Sequence, residues 1–134
     1  MESKKTLFDT DVYYSKESVE KNIYLDSLQN LSVIFNNDSV NRKFLFDLST
    51  QYYYLNNIHK SLEVNRQVLN LSVNARDSSA IAKSYHYIGD CYEMNNKDSA
   101  YYYYQKAEKF YRLLKNDELI KDCIHLMIIG LDPK

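Results

Sequence analysis

The sequence predicts an all-α protein of about six helices, stacked as antiparallel helix-turn-helix repeats. Three observations predict it. Glycine and proline are scarce, two and one in 134 residues, whereas a sheet with many tight turns needs residues that adopt positive φ or fix it. Apolar residues recur at i, i+3, i+4 and i+7, and no long stretch alternates with period two. Short polar breaks recur at a near-constant interval. Asn37-Asp38-Ser39, Arg76-Asp77-Ser78 and Asn116-Asp117-Glu118 place their aspartates 39 and then 40 residues apart. Asn56-Asn57 and Asn95-Asn96 fall between them, again 39 apart.

The breaks divide the chain in order. Residues 1–15 form a polar leader, expected to be mobile. An N-terminal helix occupies 16–37, with Val19, Ile23, Leu28, Leu31 and Phe35 on its inner stripe. A first repeat, 38–75, holds helices over 39–55 and 58–73. Val40, Phe44, Leu48, Tyr52 and Leu55 face inward on one, and Ile58, Leu62, Val68 and Leu69 on the other. A second repeat, 76–115, holds helices over 78–94 and 99–114. Ile81, Tyr85, Ile88 and Tyr92 face inward, then Ala100, Tyr104, Ala107, Tyr111 and Leu114. Residues 116–134 begin a third repeat or cap the stack, with Leu119, Cys123, Leu126 and Ile129 at helical spacing. Asp38, Asp77 and Asp117 are read as N-caps, and Asp98-Ser99 as another cap pair. An aspartate carboxylate accepts a hydrogen bond from a free first-turn amide and suits the positive helix end.

Composition narrows the function. Seventeen basic residues balance 18 acidic ones, for a net charge of -1. A nucleic-acid binder draws much of its affinity from phosphate neutralisation and carries a basic excess, so no nucleic acid is expected on this region. No apolar run reaches the ~18 residues that a membrane span needs. The start has charge but no apolar stretch after it, so no signal peptide is read, and nothing assigns a compartment. Cys91 and Cys123 are too few for a disulfide scaffold or a thiolate zinc site, and are read as half-buried helical thiols.

On the fourth helix, Tyr85, Ile88, Gly89 and Tyr92 give a large residue, an aliphatic, a small residue and a tyrosine. After a short turn come Ala100, Tyr104 and Ala107: alanine, ring, alanine. This pattern resembles the tetratricopeptide repeat (TPR). Gly89, Ala100 and Ala107 let two helices approach closely, and the rings fill the wedge between them. The unit before it matches less well, with Leu45, Leu48, Ser49 and Tyr52, then Ser61, Asn65 and Val68. Asn65 departs most, since a polar group there must be exposed or hydrogen-bonded. Leu126, Ile129 and Gly130 begin a third unit, Gly130 lying 41 residues after Gly89. That spacing exceeds the common TPR length of about 34 and is similar to the long-repeat type of bacterial regulatory proteins. The resemblance implies an α-solenoid, a right-handed superhelical stack of helical hairpins. It also implies the sensory or regulatory part of a larger signalling or transcription-regulatory protein.

In such a stack the first helix of each hairpin lines a concave groove that takes a peptide or partner protein. The groove candidates are Lys43, Phe46, Asp47, Thr50, Tyr53 and Tyr54 in one unit, and Lys83, His86, Asp90, Glu93 and Met94 in the next. Some TPR proteins clamp a C-terminal carboxylate with lysine and asparagine. Lys43 and Lys83 could supply the lysines, but Asp47 and Tyr87 hold the asparagine places, which disfavours that use. The final helix is apolar nearly all round, so it needs a cover: further repeats, or a second copy of the chain making a homodimer. Ile124, Met127 and Ile128 are the candidates for self-association, the alternative function.

No enzyme, cofactor or metal site is read. His59, His86 and His125 fall on three different helices, and Cys123 and His125 point about 200° apart on one helix. His86 and Asp90 fall at i, i+4 and are read as a surface polar pair.

Overall fold

The computed structural model describes residue 13 and residues 16–31 and 38–131. Six helices follow one another among these residues, and no strand: α1 (Ser18–Leu31), α2 (Asp38–Tyr54), α3 (Ile58–Asn74), α4 (Ser78–Tyr92), α5 (Lys97–Leu113) and α6 (Asp117–Leu131). No helix among the described residues is long and apolar enough to cross a membrane. Phe35, read as an inner residue of the first helix, lies outside the described residues.

Three of the joints share one design. Asn56, Arg76 and Lys115 take positive φ, at 61°, 55° and 57°. The amide of each bonds back to the carbonyl three residues earlier: Tyr53, Val73 and Arg112. The next amide reaches five residues back, Asn57 to Tyr52, Asp77 to Ser72 and Asn116 to Tyr111. This closes each helix with a Schellman motif. The same next residue caps the following helix. Asn57, Asp77 and Asn116 accept from the amides of Lys60, Ala80 and Leu119 at 3.3, 3.1 and 3.2 Å.

The α4–α5 joint differs. The amides of Asn95 and Asn96 both bond to the Tyr92 carbonyl, and Asn96 caps α5 by accepting from Ser99 at 3.0 Å. Asp77 is therefore an N-cap as expected, but Asp98 and Asp117 are not. Asparagine caps as well as aspartate and stands earlier in both joints. Asp98 and Asp117 sit in the first turn instead, near the positive end of the helix.

The chain divides into two compact units, Met1–Val64 and Asn65–Lys134. In the first, Leu25 and Leu28 of α1 are buried, as are Phe44, Leu45, Leu48 and Tyr52 of α2 and Val64 of α3. Ser61 donates to the Ser49 carbonyl at 2.8 Å, joining α3 to α2. Val19 and Ile23 correct the expectation for the first helix, being 72% and 63% exposed. Polar bonds set the roll of α1: Tyr52 donates to the Asp26 carboxylate, and Asn57 Nδ2 to Asn22 Oδ1 at 2.7 Å. Tyr13 is the one position of the expected leader among the described residues. It is buried, its ring 6.4 Å from that of Tyr24, with the Lys21 ammonium 5.1 Å from its centre.

In the second unit α4 and α5 form a close hairpin. Ile88, Gly89, Ala100, Tyr104 and Ala107 are all buried. Along one edge the rings Tyr92, Tyr103, Tyr85 and Phe110 follow one another at 5.6, 6.2 and 6.0 Å between centres. Helix α6 packs on this hairpin through Cys123, against Ala82, Ala107 and Tyr111, with Leu119 and Ile120 at the margin. Asn65, 1% exposed, turns its amide nitrogen toward Cys91 Sγ at 3.8 Å and leaves Oδ1 without a partner.

Candidate functional site

The groove candidates of the first unit lie along α2. Lys43, Asp47 and Tyr54 are exposed, whereas Thr50 and Tyr53 are half-buried. The Thr50 hydroxyl donates to the Phe46 carbonyl at 3.0 Å, and the rings of Tyr53 and Tyr54 meet edge-on at 6.2 Å. Phe46 is a correction: it is 5% exposed and belongs to the core. Together with Phe44, Leu45 and Leu48 it forms an apolar arc broader than a single stripe, and burying such a ring outweighs leaving it in water by about 1.5–3 kcal/mol.

The candidates of the second unit run along α4 and past its end, at the i, i+3, i+7 spacing that puts them on one line. Lys83 is exposed, with its ammonium 5.6 Å from the centre of the Tyr87 ring. His86, Asp90 and Glu93 are half-buried, and Met94 is 91% exposed.

His86 and Asp90 are not a free surface pair. His86 Nδ1 lies 3.1 Å from the Tyr111 hydroxyl, and its ring meets Tyr104 and Tyr111 edge-on, 5.9 Å from each centre. The Tyr104 hydroxyl donates to Asp90 Oδ1 at 2.6 Å. Both ring partners come from α5, so the polar line of α4 is stitched to the hairpin core. Burial pushes the Asp90 carboxyl above the usual range. The Tyr104 bond and the charge of His86 oppose that push, and Glu93 adds to it. Burial also raises the Tyr111 phenol, helped by Cys123, Tyr87, Asp90 and Asp122. Cys123 is pushed up to about 12, first by burial and then by Asp122, Asp90 and Glu108. A thiol so placed stays protonated at neutral pH and is a poor nucleophile. Among the described residues, no three His, Cys, Asp or Glu side chains gather as a metal-binding group.

Beside this network an open cleft of about 270 Å³ separates the α4–α5 joint from the C-terminal half of α6. Ala100 and Tyr104 form its floor. Met94, Tyr101, Leu126 and Met127 line it as well, and Glu93 and Lys97 bring charge to it. Of the groove candidates, only Glu93 and Met94 reach this cleft. Sequence reasoning missed Lys97, Tyr101 and Leu126 as its partners, because nothing local encodes how α6 crosses the hairpin. The one available signal was Tyr101, an aromatic residue left 36% exposed off the inner stripe of its helix.

The self-association candidates split. Ile124 and Met127 are half-buried, Met127 lining the cleft, while Ile128 is 58% exposed. Gly130 meets nothing that a Cβ would touch within 4 Å, unlike Gly89, whose added Cβ would lie 2.6 Å from the Tyr104 ring.

No protein-family model matches the chain, and comparison with curated proteins finds no match either.

Proposed function

We propose that this chain is a TPR-like helical-repeat module that binds a partner protein or peptide, acting as the regulatory part of a larger bacterial signalling or transcription-regulatory protein. It carries out no reaction of its own. Two features support the repeat reading. The caps Asn57 and Asn96 stand 39 residues apart, as do Asp77 and Asn116. Gly89, Ala100, Tyr104 and Ala107 are all buried, and Gly89 lies directly against the Tyr104 ring, as close helix packing of the repeat type would have it.

The observation that carries the binding reading is the cleft. At about 270 Å³ it falls below the roughly 300–1,000 Å³ that encloses a drug-sized ligand. It suits one or two apolar side chains presented by a peptide or helix. Methionine walls adapt to such anchors, because the thioether chain is unbranched and polarisable. The groups that could do acid–base work, His86 and Asp90, are bonded to tyrosines.

Two of the three methionines line the cleft, so methionine methyl NMR reads it directly. Helical peptides selected from a displayed library against the chain should shift the Met94 and Met127 methyl signals at micromolar concentration. Leu126→Asp should abolish both shifts, and Met94→Glu should abolish that of Met127. Selected peptides that bind without moving either methyl would refute the cleft as the binding site.

A further inference from the structure

The outer face of α6 bears a pattern that the cleft does not use. Glu118, Lys121, Asp122, His125, Ile128 and Ile129 are all exposed and fall within one stripe of the helix. Among the described residues no ion pair engages any of the four polar members. Just before the helix, Leu113 and Leu114 are exposed at 74% and 41%, and past the polar stretch Ile128 and Ile129 are exposed at 58% and 37%. The order along the stripe is acid, base, acid, base, apolar, with the exposed leucines of the joint just before it. Reversed, it complements itself. Lys121 and Asp122 lie either side of the midpoint, and Glu118 and His125 are equidistant from it.

We infer that α6 pairs antiparallel with the α6 of a second copy of this chain, about a twofold axis passing between Lys121 and Asp122. A twofold interface needs one patch that complements itself on rotation, and this stripe does. At a rise of about 1.5 Å per residue, Glu118 of one copy comes level with His125 of the other, about 5 Å from the axis. Lys121 reaches across the axis to Asp122. Ile128 and Ile129 meet the exposed leucines at the α5–α6 joint of the other copy. A parallel pair would set Glu118 on Glu118 and Lys121 on Lys121, and like charges in register are repulsive. The charges therefore select the antiparallel orientation. A face of 15 residues buries less than the roughly 800 Å² per partner of a standard interface, so the dimer is weak and forms in the micromolar range. Its readout is mass, whereas the cleft is read by the Met94 and Met127 methyls, so either reading can fail without the other.

Sedimentation equilibrium of the full chain from about 5 to 500 µM tests it, with K121E, D122K and their equimolar mixture. The wild type should move from monomer to dimer mass across the range. Each single reversal breaks two symmetry-related pairs at once and should raise the dissociation constant about tenfold or more. The mixture should recover a dimer close to wild-type strength, because each variant then supplies the charge that the other lacks. Both substituted chains should keep wild-type helicity, since both positions are exposed. A wild type that stays monomeric at every concentration overturns the inference. So does a dimer indifferent to both reversals, or a mixture that fails to recover.

Discussion

Replacing Gly89 by alanine should destabilise the second unit even though it improves helix propensity. Alanine in a helix interior is worth about 1 kcal/mol over glycine. Against that stands geometry. The new Cβ would lie 2.6 and 2.7 Å from Tyr104 Cε1 and Cδ1, where carbon atoms in contact prefer about 3.5–4.0 Å. The ring must retreat by about 1 Å, yet Tyr104 is 1% exposed, its hydroxyl bonded to Asp90 and its ring edge-on to His86. Overpacking of this kind costs about 1–3 kcal/mol, and loosening the bond to a carboxylate about 1.5–3 more. The net expectation is a loss of about 1.5–5 kcal/mol, read by urea unfolding with far-UV circular dichroism. Gly130→Ala is the internal control. Its Cβ meets nothing within 4 Å, so it should be neutral or slightly stabilising. Tyr104→Leu combined with Gly89→Ala should show a coupling of about 1 kcal/mol or more, as residues in contact do. A Gly89→Ala chain as stable as the wild type would refute the claim that glycine is there for the approach of α5.

Five further substitutions probe three separate causes by the same unfolding assay. Arg76→Gly and Lys115→Gly should each stabilise by about 0.5–1 kcal/mol, because both residues hold positive φ that an ordinary side chain disfavours. Asn56→Gly should gain only a few tenths, since asparagine tolerates that region; equal gains at all three would refute the strain argument. Asn65→Leu should stabilise by about 1–2 kcal/mol by removing a buried, unpartnered Oδ1, and a loss of stability would show that this oxygen has a partner. Asp90 has a raised pKa in the folded chain, so its contribution is fully present below the ordinary carboxylate value of about 3.9. It is lost as pH rises through the higher folded value. Asp90→Asn keeps an acceptor for the Tyr104 hydroxyl and removes the buried charge. It should therefore be more stable than the wild type at pH 7, with the advantage shrinking as pH falls toward 4. A difference constant with pH would refute burial as the cause.

What the sequence made legible is what is decided within a turn or two of chain. The stripe Ala100, Tyr104, Ala107 and Tyr111 could be read because α5 has one apolar face and all four residues lie on it. The joints could be placed because an Asn or Asp N-cap directly follows the positive-φ residue in each: Asn57 after Asn56, Asp77 after Arg76 and Asn116 after Lys115. In α1 two apolar stripes compete, Val19 with Ile23 and Leu25 with Leu28. The choice between them was made by Asn22 and Asp26, through bonds to Asn57 and Tyr52, 35 and 26 residues away. Local spacing contains no trace of that choice.

The candidate site shows the same division. The i, i+4 relation of His86 and Asp90 is visible in the sequence, but whether such a pair is solvated or desolvated is set by what packs on it. Here the packing groups are Tyr111 and Tyr104, 25 and 14 residues further on. Their rings turn a polar surface line into a half-buried one, and that burial draws the Asp90 carboxyl above its usual range against the opposing pull of the Tyr104 bond. The cleft lies one step further from the sequence, because it exists only once α6 crosses the finished hairpin. Its apolar walls on α6, Leu126 and Met127, are read from periodicity merely as parts of a greasy helix. Their separation from the exposed Ile128 becomes meaningful only when Cys123 is seen anchoring α6 against Ala107 and Tyr111. That anchor sets the roll of the helix. The roll sends Leu126 and Met127 into the cleft and leaves Glu118, Lys121, Asp122 and His125 facing out, so the seat of one buried thiol bears on both the cleft and the outer face of α6.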